Sequence, residues 1–348
     1  MTERVSGSDT LPAALVTGAA GFIGSHIVRA LLAQGRVRVV ALDDLSGGFV
    51  ENLPPDVEFV QASVTDHARL AALFDQHRFR HVYHLAAYAA EGLSHFIRRF
   101  NYTNNVIGSV NLINESVRHE VECFVFTSSI AIYGPIEPPM REDQMPRPED
   151  PYGVAKLAVE LDLGAAAHMF GLRHVIFRPH NVYGEYQNLW DPYRNVIGIF
   201  MKQILEGRPM TIFGDGLQRR AFTYVGDIAP IIAGSPWVPA AANQVFNIGA
   251  RTPYTVRELA RMVGEAMGAP GHPVVHLEAR NEVHQAYSDH AKADAVFGPS
   301  KPLALEKGLA RMAAWARSVT PRAVEAFGAI EVDRNMPPAW RSRFSDAG

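Results

Sequence analysis

Residues 14–184 alternate short apolar runs with longer stretches of helical periodicity. The apolar runs are rich in β-branched and aromatic residues, and in chain order they read ALVTG, VRVVALD, VEFVQA, HVYHLAA, CFVFTSS and HVIFRP. Strands that are nearly continuous in apolar residues are typical of a parallel sheet covered by helices on both faces. The pattern therefore predicts an α/β fold built on a doubly wound parallel sheet.

After residue 184 the pattern breaks into shorter pieces rich in proline and glycine, such as EGRPMTIFGDG and NIGARTPYT. One clear helix signal remains, where Thr255 precedes Glu258 by three positions and so predicts a capping box at a helix start. We divide the chain into a sheet domain, a smaller mixed α/β lobe and two tails. The domain is residues 13–184, the lobe is residues 185–333, and the tails are residues 1–12 and 334–348.

Composition and charge narrow the class of partner. The chain has 348 residues, 47% of them hydrophobic, which is enough to bury a large core. The net charge of -3 is spread without a long run of either sign, so we expect no nucleic-acid partner. The longest uncharged stretch runs from residue 228 to just before Arg251 and is interrupted by prolines, so we expect no membrane span.

Cysteine and histidine usage point to a site without metal. Cys123 is the only cysteine and stands in an apolar run, which predicts a buried strand residue and fits a reducing cytoplasm. The 14 histidines are scattered without the spacing of metal ligands. We therefore expect a cytoplasmic protein that holds no metal ion.

A glycine-rich loop follows the first predicted strand and precedes the first predicted helix. The loop reads GAAGFIG, with glycines at Gly18, Gly21 and Gly24. Small residues here let the backbone approach a pyrophosphate, and the following helix N-terminus stabilises negative charge. Asp43 ends the next strand, where a carboxylate accepts hydrogen bonds from ribose hydroxyls and repels a 2'-phosphate. This order predicts a Rossmann-type domain that binds NAD in preference to NADP.

Tyr152 and Lys156 stand four residues apart in DPYGVAK, downstream of Ser129 in TSSIAIYG. Positions four apart share one face of a helix, so both side chains can reach one ligand. A phenol acts as a base at neutral pH only if a nearby cation stabilises the phenolate, and Lys156 can be that cation. The three residues, next to a dinucleotide loop, predict hydride chemistry on a hydroxyl group.

With GAAGFIG, HLAA, Ser129, YGVAK and FRPHNVYG in this order, the chain resembles the extended short-chain dehydrogenase/reductase family. Within it, the chain is similar to the NAD-dependent nucleotide-sugar epimerases. The resemblance implies that the glycine loop holds the pyrophosphate, that Asp43 holds the ribose, and that Ser63 replaces the acidic residue that contacts adenine. The implied cofactor-binding residues are Gly18, Gly21, Phe22, Ile23, Gly24, Asp43, Ser63, Val64, Leu85, Ala86, Ala87, Tyr88, Asn105, Tyr152 and Lys156.

The resemblance also implies that residues 185–333 are mainly a nucleotide-sugar-binding lobe, and it implies a set of substrate contacts. Asn181 matches a residue that touches the substrate diphosphate, and Arg220 and Arg280 match basic residues that hold the same group. Arg194 is a hypothetical partner for a carboxylate on the hexose, and a salt bridge or a subunit contact explains it equally well. The implied substrate-binding residues are Ser128, Ser129, Asn181, Arg194, Arg220 and Arg280.

The implied activity is inversion of carbon 4 of a UDP-hexose through a transient 4-keto sugar and NADH. The hexose is left open between UDP-glucose/UDP-galactose and UDP-glucuronate/UDP-galacturonate. Dehydratases of this family carry an acid/base pair directly after the residue that matches Ser129, where this chain has Ile130 and Ala131, which counts against dehydration. A nucleotide-sugar dehydratase, a UDP-uronate decarboxylase and a non-catalytic NAD-binding protein are the alternatives. The resemblance further implies a homodimer.

Overall fold

The computed structural model describes residues 11–191, 193, 195–279, 283–320, 322 and 330–337. Strands and helices alternate over the first half, as the apolar pattern predicts. The strands are β1 Ala13–Thr17, β2 Arg38–Asp43, β3 Glu58–Gln61, β4 His81–His84, β5 Cys123–Thr127, β6 His174–Pro179, β7 Val182–Tyr183, β8 Met210–Phe213, β9 Arg219–Ala221, β10 Thr223–Tyr224, β11 Gln244–Ile248, β12 Pro253–Thr255, β13 Val274–Leu277 and β14 Gln285–Ala286.

The helices pack around these strands, and a π-helical stretch, Thr103–Ile107, joins two of them. The helices are α1 Phe22–Gln34, α2 His67–His77, α3 Glu91–Ser94, α4 Arg98–Tyr102, α5 Gly108–Arg118, α6 Pro151–Phe170, α7 Val196–Leu205, α8 Val225–Gly234, α9 Val256–Ala266, α10 Ala291–Phe297 and α11 Leu305–Ala316. Among the described residues, no helix is both long and apolar enough to span a bilayer.

Seven parallel strands form the central sheet in the order β11-β6-β5-β4-β1-β2-β3. Leu15 of β1 pairs with Val40 of β2 on one side and with Val82 of β4 on the other. The strand order reverses between β1 and β4, which opens a crevice outside the carboxyl ends of these strands. The prediction of a doubly wound, Rossmann-type sheet is confirmed.

Both faces of the sheet are covered, which explains the nearly continuous apolar runs. Val16 of β1 belongs to the core beneath α1 and α8. Its neighbour Leu15 belongs to the core beneath α2, α5 and α6. Cys123 of β5 is buried and unpaired, as expected from its surroundings in the sequence.

The chain after residue 184 builds a second lobe and also returns to the central sheet. The lobe contains the pair β8 and β13, the three-stranded sheet β12-β9-β14, and a core shared by α7, α9 and α11. In contrast, β11 pairs with β6 in the central sheet, and α8 packs on α1. The division of the chain near residue 184 stays a prediction, and residues 225–248 lie with the first domain in space.

Part of the predicted carboxyl-terminal tail is packed against the protein. Met336 is 4% exposed and contacts an apolar cluster that includes Leu93, Phe96 and Ile97. A buried methionine among aliphatic and aromatic side chains is stabilised by loss of apolar surface to water. The expectation of a tail does not hold at this residue.

The predicted capping box at α9 is present. The Thr255 hydroxyl accepts a hydrogen bond from the Glu258 backbone N–H at 3.1 Å, and the Glu258 carboxylate accepts one from the Thr255 N–H at 2.7 Å. Thr255→Ala removes the hydroxyl, and we expect it to lower the free energy of unfolding by about 1 kcal/mol. Thr255→Ser keeps the cap and should match the wild type in urea unfolding.

The contribution of this cap to the stability of the folded protein depends on pH. Hydrogen bonds from Thr255 hold the pKa of Glu258 below its usual value of 4.5. A lowered carboxyl pKa stabilises the folded state above pH 4.5, and this contribution is lost as the pH falls through the folded pKa. The stability gap between Thr255→Ala and Thr255→Ser should therefore shrink in acid, and equal stability at neutral pH would contradict the cap's role.

Candidate active site

A cavity of about 380 Å³ opens at the carboxyl ends of β1, β4, β5 and β6, within the size range of small-molecule sites. It brings together most of the residues predicted from the sequence. Those that line it are Gly18, Gly21, Phe22, Ile23, Gly24, Asp43, Val64, Leu85, Ala86, Ala87, Tyr88, Ser128, Ser129, Tyr152, Lys156 and Asn181.

The glycine loop leaves no room for side chains. Gly18 has φ +66°, and a Cβ there would lie 2.6 Å from the backbone nitrogen of Ala86. A Cβ on Gly24 would lie 2.0 Å from the carbonyl oxygen of Gly18. Helix α1 begins directly after Gly21 with no side-chain cap, and its first residues, Phe22, Ile23 and Gly24, line the cavity. This cradle suits the pyrophosphate of a dinucleotide.

Asp43 ties the end of β2 to the glycine loop. Its Oδ2 accepts from the Ala20 N–H at 3.0 Å, and its Oδ1 accepts from the Leu45 N–H at 2.8 Å. Burial raises the pKa of this carboxyl, and the two backbone hydrogen bonds oppose that shift. Each carboxylate oxygen has a second lone pair, so the group can also accept from ribose hydroxyls.

The Lys156 ammonium lies beneath the first turn of α6. Its Nζ donates to the Thr127 carbonyl oxygen at 2.7 Å. The same atom lies 5.7 Å from the centroid of the Tyr152 ring and 4.7 Å from that of Phe126. Removal from water lowers the pKa of Lys156 to about 7, against a smaller opposing effect of the Glu160 charge.

The start of α6 fixes Tyr152. Asp150 is the N-cap residue and accepts from the Gly153 N–H at 2.9 Å, and Pro151 occupies the first helical turn. The Tyr152 N–H donates to the Ser94 hydroxyl at 3.3 Å. The residue is 9% exposed. Tyr152 is therefore held at the cavity by a helix start with satisfied backbone groups.

Ser128 and Ser129 follow β5 but have different hydrogen bonds. The Ser129 hydroxyl accepts from the Ala131 N–H at 3.1 Å, at the start of the short 3-10 turn Ile130–Tyr133. The Ser128 hydroxyl donates to Glu160 Oε1 at 2.5 Å. Both residues line the cavity, and Ser128 is also tied to the interior beneath it.

A buried ion pair beneath the site was not predicted from the sequence. Arg178 of β6 donates to both carboxylate oxygens of Glu160, at 3.0 and 2.5 Å. Its Nη1 also donates to the Tyr133 hydroxyl at 2.7 Å. The one sequence signal was an arginine inside the otherwise apolar run HVIFRP, since a buried charge requires a partner. The pair anchors Ser128, β6 and α6 to one another.

Three predicted site residues lie away from the cavity surface. Asn105 accepts from the Tyr88 N–H at 2.7 Å and donates to the Tyr88 carbonyl at 3.1 Å, so it holds the loop that lines the cavity. Ser63 has a hydroxyl contact with Thr65 at 2.9 Å. Arg220 donates to carbonyl oxygens of Arg219, Val283 and His284. Their predicted ligand contacts stay predictions.

Other residues line the cavity without having been predicted. They include the polar residues Asn104, Gln187, Asn188 and Asn195 and the aromatic Phe100. Polar residues are common throughout the sequence, and no local signal distinguished these. Arg194 and Arg280 lie outside the described residues. Within the described ranges, no group of three or more His, Cys, Asp or Glu side chains could hold a metal ion.

Comparison with known proteins agrees with this geometry. Residues 14–249 match the model of the NAD dependent epimerase/dehydratase family. The chain belongs to this family. It is an enzyme family that uses NAD, and the glycine cradle, Asp43 and the cavity fit that cofactor.

Individual family members are similar over most of the chain. A UDP-glucose 4-epimerase of Mycolicibacterium smegmatis is 37% identical over 308 residues, which cover 85% of this chain and 96% of the relative. The crystal structure of the Thermotoga maritima UDP-glucose 4-epimerase with UDP-glucose has a TM-score of 0.82 and 35% identity, covering 88% of this chain and 98% of that one. A Bacillus cereus UDP-glucuronic acid 4-epimerase, solved with UDP-glucuronic acid and NAD, has a TM-score of 0.81 and 29% identity, covering 88% and 99%.

The burial of Lys156 predicts that the free energy of unfolding of this protein depends on pH. The lysine titrates at 10.5 in the unfolded chain and at about 7 in the folded protein. Between these pH values the unfolded chain binds a proton that the folded protein does not, so stability falls as the pH drops from 10.5 to 7. Lys156→Met removes this effect, so its stability relative to wild type should increase as the pH falls from 10.5 to 7, by up to roughly 5 kcal/mol.

The measurement is urea unfolding of the NAD-free protein at several pH values. Lys307→Met removes an exposed lysine from α11 and serves as the control for loss of a lysine side chain. A pH-independent difference between Lys156→Met and wild type would show that the Lys156 ammonium is not desolvated.

Proposed function

We propose that this protein is an NAD-dependent 4-epimerase of UDP-hexoses, with UDP-glucose and UDP-galactose as the first substrates to test. The observation that carries the proposal is Tyr152 at the cavity surface, with the buried Lys156 ammonium 5.7 Å from its ring centroid. Ser129 lines the same cavity. A base, a cation and a hydroxyl donor are thus brought together at one end of a dinucleotide site.

Each of these side chains has a distinct task. Tyr152 as phenolate takes the proton of the C4 hydroxyl, and Ser129 hydrogen-bonds the same oxygen. Lys156 stabilises the phenolate through its positive charge. This electrostatic interaction is stronger in a site from which water is excluded. When bound, NAD supplies the acceptor and donor for the hydrogen on C4.

Inversion requires that the sugar can present either face to the cofactor. Binding through the remote nucleotide, with few contacts to the hexose, keeps both epimers productive. The side chains of Gln187, Asn188 and Asn195 line the cavity, and the last two also accept hydrogen bonds from backbone N–H groups beside them. A side-chain amide both donates and accepts, so such groups can hydrogen-bond a hydroxyl-rich ring in either of two orientations.

Dehydration is the second candidate, since the family contains both reaction types. Loss of water needs a positioned acid for the leaving hydroxyl. The residues after Ser129 are Ile130 and Ala131, and they form the first part of the 3-10 turn beside Tyr152. Neither can transfer a proton, which favours epimerisation.

The choice of hexose is also part of the proposal. We place UDP-glucose before UDP-glucuronate because the more similar of the relatives described above carry its name. Decarboxylation of a UDP-uronate would require a carboxylate at C6 and would release CO₂. The reaction products therefore distinguish epimerisation of a UDP-hexose from decarboxylation of a UDP-uronate.

A homodimer through α5 and α6 completes the proposal. Helix α6 exposes large apolar side chains along its length, with Leu161 68% and Phe170 63% exposed. Ile107, just before α5, is 51% exposed. Exposed apolar patches of this kind are typical of protein interfaces.

Tyr152→Phe removes the base and should lower the rate of UDP-glucose/UDP-galactose interconversion by about 10²–10⁴-fold. Bound NAD should be retained, because the Tyr152 ring and the cavity lining remain. Tyr254→Phe, on β12 in the second lobe, is the matched control and should keep full activity. Products are scored for inversion, water loss and CO₂ release from UDP-glucose and UDP-glucuronate. Full activity of Tyr152→Phe, or products of elimination alone, would contradict the proposal.

A further inference from the structure

One wall of the cavity is formed by residues 88–102, which contain α3 and α4 and which we call the α3–α4 wall. Tyr88, Glu91 and Phe100 of this wall line the cavity. The Tyr88 and Phe100 rings pack edge to face, with centroids 5.2 Å apart. The position of this wall therefore determines the shape of the cavity beside Tyr152.

Residues 330–337, which we call the carboxyl-terminal segment, form hydrogen bonds with backbone groups of this wall. Glu331 accepts from the N–H of Arg99 at 2.7 Å through Oε2 and from the N–H of Phe100 at 2.9 Å through Oε1. The backbone N–H groups of Glu331 and Val332 donate to the Phe96 carbonyl at 2.9 and 3.2 Å.

Glu331 acts as the cap of α4. The residue at the N-cap position, Ile97, forms no side-chain cap, so the first amides of α4 have no local acceptor from it. A carboxylate is well suited to these amides because the hydrogen bonds are charge-assisted and the helix N-terminus favours negative charge. The cap is supplied from more than 200 residues away in sequence.

Apolar contacts hold the same segment. Met336 is 4% exposed and packs with Leu93, Phe96 and Ile97, and Ile330 packs at the edge of this cluster. Tyr193, in the loop before α7, contacts the same cluster. The cluster therefore joins the carboxyl-terminal segment, the α3–α4 wall and the loop after β7.

The α3–α4 wall is hydrogen-bonded to the first turn of α6, which carries Tyr152. The Ser94 hydroxyl accepts from the Tyr152 N–H at 3.3 Å, and Asn101 donates to the Pro151 carbonyl at 2.9 Å. Asn101 also accepts from Asn105 at 2.8 Å. A continuous path of contacts thus runs from Glu331 through α4 to the first turn of α6.

We propose that the carboxyl-terminal segment is a positioning element for Tyr152, with Glu331 as its principal residue. The proposal rests on the proposed function for the role of Tyr152 as base. The segment makes no contact with substrate in this account. It fixes the position of the α3–α4 wall, and the wall fixes the position of the first turn of α6. The phenol of Tyr152 is therefore aligned when the sugar binds.

The test compares Glu331→Ala with the wild-type holoenzyme. We expect kcat for UDP-glucose inversion to fall about tenfold with less than about a twofold change in KM, because alignment of the base is lost and nucleotide binding is kept. Glu331→Gln retains an amide oxygen as acceptor and should restore part of kcat. Glu265→Ala removes an exposed glutamate from α9 and should leave kcat unchanged.

Amide hydrogen exchange provides a readout that does not depend on turnover. In Glu331→Ala, exchange should accelerate at the amides of Arg99 and Phe100 and also at the Tyr152 amide, while Glu265→Ala leaves all three unchanged. Met336→Ala should accelerate the same amides through loss of the apolar contact. If the wild type inverts no UDP-sugar, the proposed function fails, and exchange at Tyr152 alone decides this proposal. Unchanged exchange at Tyr152, or unchanged kcat in an active enzyme, would overturn it.

Discussion

The site depends on an ammonium group held out of water. Lys156 is 3% exposed, and its Nζ donates to the Thr127 carbonyl at the end of β5. A buried cation without full charge compensation is costly, and that cost is seen in a lysine pKa of about 7. A negative charge formed on Tyr152 would lie close to this cation and would be stabilised by it.

The surrounding structure keeps other charges from satisfying Lys156. Glu160 lies one helical turn along α6, but both of its carboxylate oxygens accept from Arg178. The bidentate pair leaves less negative charge available to the lysine. The network also includes Ser128 and Tyr133, so hydrogen bonds connect the groups beneath Tyr152, the proposed base. Together with the proposed support of α6 by the α3–α4 wall, this network favours a preorganised site.

Local signals in the sequence predicted much of this arrangement. The strand, glycine loop, helix and Asp43 follow one another within about 30 residues, and their roles depend on local backbone geometry. The spacing of Tyr152 and Lys156 predicted a shared helix face, and both line the cavity. Thr255 and Glu258 form the predicted capping box for the same reason.

Contacts between distant residues could not be predicted in this way. The pairing of Arg178 with Glu160, the return of β11 to the central sheet, and the cap that Glu331 gives to α4 each depend on the folded topology. The guanidinium of Arg220 donates to backbone carbonyls of the second lobe, which the sequence did not predict, and its predicted contact with a diphosphate stays a prediction. Side-chain direction in a short strand depends on its neighbours, and a single sequence does not show them.

Stabilisation of a charge on Tyr152 depends on the protonation state of Lys156. NMR titration of the Lys156 side chain measures that state directly. The chain has five lysines, so ¹³C labelling at Cε gives a spectrum simple enough to assign. In the NAD-free protein, one resonance that is absent from Lys156→Met should titrate near pH 7. A Lys156 resonance that titrates near 10.5, as in an unfolded chain, would contradict the central claim.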